Sequence, residues 1–323
     1  MDSIRYLSDE EIKTFHMSQG NLRDAIIRAF AAYGRGQAQV LPAAHIDVTP
    51  GRGFRSLCAS WEASGYASNK WFGITPVEAG AQRPGIHALL VLNDFQTGQP
   101  VALMGANQIT GWRTASMSAA VASYFANPDA TTLGFVGCGL QASMHLDAFR
   151  EILPRIESVL ACSRSFESAQ RFVRGLAARG LIGRALESPE EVVRQSQVLV
   201  TSVPLSEGLR PFLDPGWLGP GTFVAAVDLA RSWLPSDLHQ LEVRITDDHV
   251  QQATLPPISP DLGAVGTFSC DLAELTSGQF QGNFSPSQRA MFIFRGSGLA
   301  DLAIAAEVYR YAQRRGLGLQ LPR

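Results

Sequence analysis

Thr132-Leu133-Gly134-Phe135-Val136-Gly137-Cys138-Gly139-Leu140-Gln141-Ala142 is the stretch that decides the fold. Its apolar first half predicts a buried parallel strand, and the pattern G-x-G-x-x-A leads from that strand into a predicted helix. Gly137 permits the tight turn, Gly139 leaves room beside the backbone, and Ala142 lets the helix pack closely on the strand. The helix N-terminus favours an anion. The stretch therefore predicts a site for a dinucleotide pyrophosphate, with Leu140 and Gln141 at the start of the helix.

The surroundings of the glycine turn matter, because G-x-G-x-x-A alone also occurs as an ordinary structural turn. A second apolar strand, Ser158–Cys162, follows at the distance expected of one β-α-β unit. Helices and strands keep alternating as far as residue 247, which predicts a parallel, doubly wound sheet with right-handed crossovers. We therefore predict an α/β protein with a Rossmann-type dinucleotide-binding domain that begins at residue 128.

Short strands dominate the chain before this domain. Two amphipathic helices are predicted within residues 7–33, and they are followed by strands at 44–48, 54–59, 67–74, 87–92 and 100–104. A helix at 110–126, with Arg113 and Thr114 in its first turn, is stopped by Asn127-Pro128-Asp129. This pattern predicts an α+β domain with an antiparallel sheet, ending at residue 127.

The composition describes a globular protein with room for two cores. The chain has 323 residues, 46% of them hydrophobic, and a formal net charge of −2. We expect no nucleic-acid footprint and no membrane span, and the N-terminus lacks the apolar core of a signal peptide, which predicts a cytoplasmic protein. The four cysteines have no metal-ligand or disulfide spacing, so no metal site is predicted.

The residues after the second strand bear on the choice between NAD and NADP. An acidic residue at this position binds the ribose hydroxyls of NAD, whereas an arginine with small polar neighbours suits the 2′-phosphate of NADP. The chain has Ser163-Arg164-Ser165 here and no Asp or Glu. We predict that these three residues favour NADP(H), with NAD(H) as the alternative if Arg164 faces solvent.

Residues that end the strands of such a sheet lie where ligands bind. Asp228 ends the predicted strand 222–228 and is a candidate acid/base group, or alternatively a helix cap or loop ion-pair partner. Candidate cofactor contacts are Ser202 and Val203, at the end of the strand 197–202, and Ser297, in the turn Gly296-Ser297-Gly298.

Two cations of the first domain are candidates for substrate binding. Lys13 and Lys70 are the only lysines, and all other basic residues are arginines. A lysine kept in such a composition suggests that position 70 needs an ammonium. Lys70 and Arg113, if they face the nicotinamide, suit a carboxylate-bearing substrate. The alternative is that both are surface charges.

Taken together, these segments resemble the ornithine cyclodeaminase/μ-crystallin family over nearly the whole chain. The matching segments are Asn69-Lys70-Trp71, His87-Ala88-Leu89-Leu90-Val91-Leu92-Asn93-Asp94, Thr97-Gly98, Arg113-Thr114-Ala115, Gly134 to Ala142, Asp228 and Gly296-Ser297-Gly298-Leu299-Ala300-Asp301-Leu302.

The resemblance implies a homodimer that pairs through the sheet of the first domain. It implies that residues 1–127 with 299–323 form the substrate-binding and dimerisation domain and that residues 128–298 bind the dinucleotide. It also implies that Lys70 and Arg113 hold the substrate carboxylate, that Asp228 is the acid/base group, and that Arg113 and Thr114 contact the cofactor phosphates.

The sequence departs from the family pattern at two places. Many members have an arginine after the proline near Pro42 as a further carboxylate ligand, whereas this chain has Ala43, so Arg55 or Arg52 is the candidate replacement. Ornithine cyclodeaminases place an acidic residue in the strand that matches 54–59, and this chain has Arg55-Ser56-Leu57 there. Both departures argue against a dibasic amino acid substrate.

Three functions remain open at the level of sequence. The first is an NAD(P)H-dependent reductase that converts a cyclic ketimine or α-imino acid into an α-amino acid. The second is an ornithine or lysine cyclodeaminase that uses bound NAD in a closed cycle. The third is a crystallin-like protein that binds NADP(H) without turnover.

Overall fold

The computed structural model describes residues 3–49, 51–75, 85–204, 209–255 and 267–322. The strands are β1 (Ser3–Leu7), β2 (Ala38–Val40), β3 (Ala44–Thr49), β4 (Arg52–Trp61), β5 (Tyr66–Ile74), β6 (Ile86–Asp94), β7 (Pro100–Gly105), β8 (Thr132–Val136), β9 (Ser158–Cys162), β10 (Ile182–Ala185), β11 (Val198–Thr201), β12 (Phe223–Ala226), β13 (Val243–Thr246), β14 (Cys270–Asp271), β15 (Ala290–Ile293) and β16 (Leu319–Pro322). The helices are α1 (Asp9–Lys13), α2 (Gln19–Gly34), α3 (Asn107–Phe125), α4 (Leu140–Ile152), α5 (Phe166–Arg174), α6 (Pro189–Gln195), α7 (His249–Thr254), α8 (Leu272–Ser277) and α9 (Gly298–Arg315). None of these helices is long and apolar enough to cross a membrane.

The first sheet is mixed, whereas the sequence predicted an antiparallel one. Its order is β16-β1-β7-β6-β5-β4-β2, with β3 paired to β4. The strands from β2 to β7 pair antiparallel, but β1 runs parallel to β7, and β16 returns from the end of the chain to pair with β1. The prediction missed β1 and β16 because these strands pair with segments far away in sequence, which a local pattern does not specify.

Helix α3 begins earlier than predicted. It starts at Asn107, so Arg113 and Thr114 lie in its second turn rather than its first. The residue before the helix, Ala106, offers no side chain to cap it. The carboxylate of Asp9 instead accepts a hydrogen bond from the N–H of Gln108 at 2.9 Å. This cap comes from a distant segment, so the sequence around the helix start does not show it.

The second sheet confirms the predicted doubly wound architecture. Its order is β10-β9-β8-β11-β12-β15-β13-β14, and every pair of neighbours is parallel. Its central strands are buried on both faces, as expected of a parallel sheet covered by helices. On one side α4 packs against α3, which also contacts α2 and α9 under the first sheet. Helix α3 therefore connects the two sheets.

Candidate active site

The glycine turn is attached to the ends of the two strands that flank β8. Gly137 has a φ of +98° and donates its N–H to the carbonyl of Cys162 at 2.9 Å. Ser202 donates its hydroxyl to the carbonyl of Gly137 at 3.2 Å. A β-carbon at position 137 would come within 2.7 Å of the Ser202 carbonyl oxygen. The turn therefore requires glycine for both its conformation and its packing.

The second glycine of the turn leaves the space that a phosphate needs. A β-carbon at Gly139 would meet no atom within 4 Å. Gly139 precedes α4, and the first N–H groups of this helix, including those of Leu140 and Gln141, have no partner within the helix. Leu140 is exposed, and the buried side-chain oxygen of Gln141 has no hydrogen-bond partner in the described ranges. An open cradle with free donors fits a dinucleotide pyrophosphate.

The polar residues after β9 have side chains that are accessible to a ligand. Ser163 is half-buried, whereas Arg164 and Ser165 are exposed. Arg164 has no ion pair or hydrogen bond to any residue in the described ranges. Ser165 precedes α5, but its side chain makes no capping hydrogen bond. A guanidinium with two neighbouring hydroxyls is therefore available to an anionic group at this edge.

Asp228 is a buried carboxylate held from three directions. It lies two residues beyond β12, rather than within the strand as predicted, and is 3% exposed. One oxygen accepts the hydroxyl of Thr201 at 3.0 Å. The other accepts the hydroxyl of Ser232 at 2.6 Å and the N–H of Val203 at 3.3 Å. The carboxylate thus has a defined orientation at the carboxyl edge of the sheet.

The surroundings of Asp228 combine burial with backbone strain. Burial raises the pKa of Asp228, and this effect exceeds the opposing influence of its hydrogen bonds and of Arg231. The next two residues, Leu229 and Ala230, have left-handed φ values of 62° and 57°. Each such conformation costs about 1–3 kcal/mol for a residue with a side chain and is concentrated at functional sites. The turn therefore supports the selection of Asp228 as a reactive group.

Lys70 points into the protein from β5. It is 2% exposed, which excludes the alternative of a surface charge. Its ammonium donates to Asp301 at 2.7 Å and to the hydroxyl of Thr110 at 3.2 Å. Burial lowers the pKa of Lys70 to about 8, with the positive charge of Arg113 acting in the same direction and Asp301 opposing both.

Arg113 is likewise buried, and it contacts the segment that connects β15 to α9. It is 8% exposed, and its Nε lies 3.4 Å from the carboxylate of Asp301. Its guanidinium lies against Gly296, where a β-carbon would come within 2.6 Å of Nη1. Gly296 is held in turn by Asp247, which accepts its N–H at 2.7 Å, and by Gln251, which donates to its carbonyl at 3.0 Å.

The topology brings Arg113 to the sheet edge where Asp228 lies. Strands β12 and β15 are parallel neighbours, with Ala226 paired to Ile293. Asp228 follows one of these strands, and Gly296, which Arg113 contacts, follows the other. Adjacent strands are about 4.8 Å apart. Arg113 of helix α3 and Asp228 of the second sheet therefore lie at the same edge.

Asp301 is the residue of this cluster that the sequence did not identify as functional. It lies in the first turn of α9 and has 0% exposure. The signal available in the sequence was a single acid among apolar residues in Gly298-Leu299-Ala300-Asp301-Leu302-Ala303. A charge at such a position is rarely buried without a partner. Its partners come from β5 and α3, which the local pattern does not show.

Three other predicted site residues form an ion pair or hydrogen bonds within the protein. Arg55 forms an ion pair with Asp47 at 2.6 Å. Thr114 is buried and donates its hydroxyl to the carbonyl of Thr110 at 2.7 Å, within α3. Ser297 caps α9 by accepting the N–H of Leu299 at 3.2 Å.

A buried histidine joins the helix of the glycine turn to α3. His145 has 0% exposure, and its Nδ1 lies 2.8 Å from the carbonyl of Gln141. A carbonyl only accepts, so Nδ1 carries the proton, and the Nε2 of the neutral ring accepts the hydroxyl of Ser118 at 2.9 Å. These two hydrogen bonds within the protein give His145 a structural role.

The chain is similar over its whole length to known proteins. Residues 5–316 match the profile of the ornithine cyclodeaminase/mu-crystallin family. The alanine dehydrogenase of Archaeoglobus fulgidus is 28% identical, covering 98% of this chain and 97% of that protein. A Δ1-pyrroline-2-carboxylate reductase of Bacillus cereus is 25% identical, covering 76% and 77%. The solved structure of an archaeal alanine dehydrogenase dimer with bound NAD superimposes with a TM-score of 0.83 at 25% identity, covering 99% of both chains.

The match agrees with the geometry of the glycine turn and of the sheet edge. The chain belongs to the ornithine cyclodeaminase/mu-crystallin family, and it is an NAD(P)-dependent oxidoreductase of that family.

Proposed function

We propose that the protein reduces a cyclic ketimine or an α-imino acid to the corresponding α-amino acid. The observation that carries this proposal is a pair of buried cations, Lys70 and Arg113, that share the carboxylate of Asp301. Arg113 also lies against Gly296, which follows β15, and the neighbouring strand β12 leads to Asp228. Two buried cations near each other favour an anionic ligand. The names of the alanine dehydrogenase and pyrroline carboxylate reductase relatives are consistent with a small carboxylate-bearing substrate.

In the proposed reaction, some residues of the site bind the substrate and another transfers the proton. Lys70 and Arg113 bind the α-carboxylate and orient the C=N carbon. Asp228, whose pKa is raised by burial, donates a proton to the nitrogen and accepts it in the reverse direction. The bound dinucleotide supplies the hydride that adds to the imine carbon. One hydride and one proton thus convert C=N into CH–NH.

The cofactor that we propose is NADPH, with NADH as the alternative. The support is the set of free polar groups after β9, where Arg164 has no protein partner in the described ranges and Ser163 and Ser165 flank it. The phosphates would bind at Gly139, Leu140 and Gln141, with Thr114 as a further phosphate contact. Ser202, Val203 and Ser297 are the other cofactor contacts that we propose.

A homodimer through the first sheet is the assembly that we propose. Large apolar side chains on β3 to β6 share the face of this sheet opposite the helices and are exposed; they are Ile46, Val48, Phe54, Trp71 and Leu89. Phe54 and Trp71 stack with ring centroids 5.7 Å apart. An apolar patch of this kind marks an interface, and the archaeal alanine dehydrogenase is described as a dimer.

We also propose that residues 1–127 with 299–323 form the substrate-binding and dimerisation domain and that 128–298 form the nucleotide domain.

A substrate panel tests the proposed reaction. Purified protein is mixed with NADPH or NADH and with pyrroline-2-carboxylate, piperideine-2-carboxylate, or pyruvate with ammonium, and oxidation is followed at 340 nm. Stoichiometric NADPH consumption with formation of the amino acid supports the reductase. Ammonia release from ornithine or lysine without net cofactor change would instead identify a cyclodeaminase. Tight NADPH binding with neither activity would identify a binding protein.

A further inference from the structure

Asp301 is a buried anion placed between two buried cations that come from different elements. The carboxylate belongs to α9, Lys70 to β5, and Arg113 to α3. A single oxygen, Oδ1, lies 2.7 Å from the ammonium and 3.4 Å from Nε of the guanidinium. Since all three side chains are buried, the charges are poorly screened by solvent and depend strongly on one another.

The protonation state of Lys70 depends on this carboxylate. Burial and the charge of Arg113 both disfavour the ammonium, and Asp301 alone among the charged groups that act on Lys70 favours it. Within the part of the chain that the structure describes, the other neighbours of Lys70 are uncharged. Thr110 on α3 offers a hydroxyl, the paired residues on the adjacent strands are Leu57 and Leu90, and Phe72 lies two positions along β5 with its ring centroid 5.3 Å from the ammonium.

The second oxygen of Asp301 indicates that the cluster is more than a structural ion pair. Oδ2 is buried and has no hydrogen-bond partner among the described residues, and the same holds for Nε of Arg113. Buried polar groups in a purely structural network have their hydrogen bonds satisfied in the great majority of cases. The ammonium of Lys70 donates twice and has three protons. Donors and an acceptor therefore remain free in a water-poor cluster.

We propose that Asp301 is a positioning residue that keeps Lys70 charged and aims it, together with Arg113, at a single substrate carboxylate. The inference rests on the proposed function for the identity of the ligand. Two positive charges and one negative leave the cluster with one net positive charge, which one carboxylate neutralises. Without Asp301, the same burial converts Lys70 into a neutral amine, which binds a carboxylate far more weakly than an ammonium does.

The lysine content of the chain allows a direct test without substrate. Because Lys13 and Lys70 are the only lysines, protein labelled with [ε-13C]lysine gives two side-chain resonances, and the exposed Lys13 serves as the internal reference. In the wild type, the Lys70 resonance should titrate near pH 8. In Asp301→Asn, the midpoint should fall by roughly 1–3 pH units, as is typical for loss of a close opposite charge. Thr110→Val, which removes only the uncharged partner, should shift it much less.

Kinetics supply a second readout. At pH 7.5, Asp301→Asn should raise KM for the imino acid about 10-fold or more while leaving KM for NADPH within about twofold, because loss of one charge-assisted contact costs more than about 1.4 kcal/mol. Asp301→Glu, which keeps the charge, should retain a Lys70 midpoint within about one unit of the wild type. An unchanged Lys70 midpoint in a folded Asp301→Asn protein would overturn the proposal.

Two further outcomes keep this inference separate from the proposed reaction. If Asp301→Asn does not fold, Arg113→Gln is titrated instead, and the Lys70 midpoint must rise because a like charge has been removed; a midpoint that stays in place or falls refutes the inference. If the titrations behave as stated but no imine is reduced, the role of Asp301 stands and the proposed function fails.

Discussion

The guanidinium of Arg113 lies against the α-carbon of Gly296, with no space for a side chain between them. A β-carbon at position 296 would come within 2.6 Å of Nη1, and Gly296 has a φ of +95°. Arg113 is on α3 under the first sheet, and Gly296 follows β15 of the second sheet. This contact joins the two halves of the molecule at the proposed substrate carboxylate.

Gly296→Ala tests that contact. The new methyl group must displace Arg113, and alanine is strained at this φ, so we expect a loss of about 1–3 kcal/mol in the free energy of unfolding and a higher KM for the imino acid. Gly175→Ala is the matched control, because Gly175 has a φ of −83° and open space around it. Urea denaturation and steady-state kinetics measure both effects. Equal stability of the two variants would contradict the contact.

Asp228→Asn tests the proton-transfer role. The amide preserves the shape of the carboxylate but donates no acidic proton, so kcat should fall by about 100-fold or more, while the dissociation constant for NADPH stays within about twofold of the wild type. Asp237→Asn, in the 3-10 turn Pro235–Gln240, serves as the control and should leave kcat unchanged. Near-normal turnover in Asp228→Asn would remove this residue from the mechanism.

Arg164→Gln tests the proposed cofactor preference. Loss of a guanidinium that pairs with the 2′-phosphate should raise KM for NADPH by about 10-fold and leave KM for NADH nearly unchanged, because NADH lacks that phosphate. Arg171→Gln, on the helix α5 that follows Arg164 and already paired with Glu167 at 3.0 Å, should change neither. A tenfold preference of the wild type for NADH would show that the segment after β9 does not select NADP.

His145 should make the fold sensitive to acid. Burial lowers the pKa of this residue to about 4, below the value of about 6.5 in an unfolded chain. The neutral ring therefore contributes its full stability above pH 6.5, and that contribution is lost as pH falls towards 4. The loss amounts to about 3 kcal/mol. Urea titrations from pH 7 to 4 should show a weaker pH dependence for His145→Gln but not for His239→Gln, whose imidazole is exposed.

The proposed dimer depends on the apolar face of the first sheet. Leu89→Asp places a charge on that face and should halve the molecular mass measured by light scattering, because an unpaired charge is costly to bury at an interface. Ile182→Asp is the control, since Ile182 is more exposed than Leu89 but lies on β10, at the edge of the second sheet. A wild-type protein that is monomeric at micromolar concentration would refute the dimer.

Much of the nucleotide domain was predictable because its signals are local. The apolar run before Gly137 and the spacing to Ser158–Cys162 predicted a β-α-β unit, and the structure has β8, α4 and β9 in that order. Alternation of strands and helices likewise predicted the parallel sheet. In the first domain, the same local reasoning found the strands from β3 to β7 and their antiparallel pairing. It missed β1, which adds one parallel pair, and β16, because these two strands pair with segments far away in sequence.

The candidate site divides in the same way. The sequence by itself determined which residue types were available. It indicated Lys70 because lysines are rare in this chain, Arg113 because it lies near the start of a predicted helix, and Asp228 because it lies at the end of a predicted strand. Only the tertiary structure decided that Lys70 pairs with Asp301, a residue 231 positions away, and that Arg113 rests on Gly296. Local periodicity reports which face of an element is apolar. The partners of a buried charge, in contrast, are determined by how separate elements pack together.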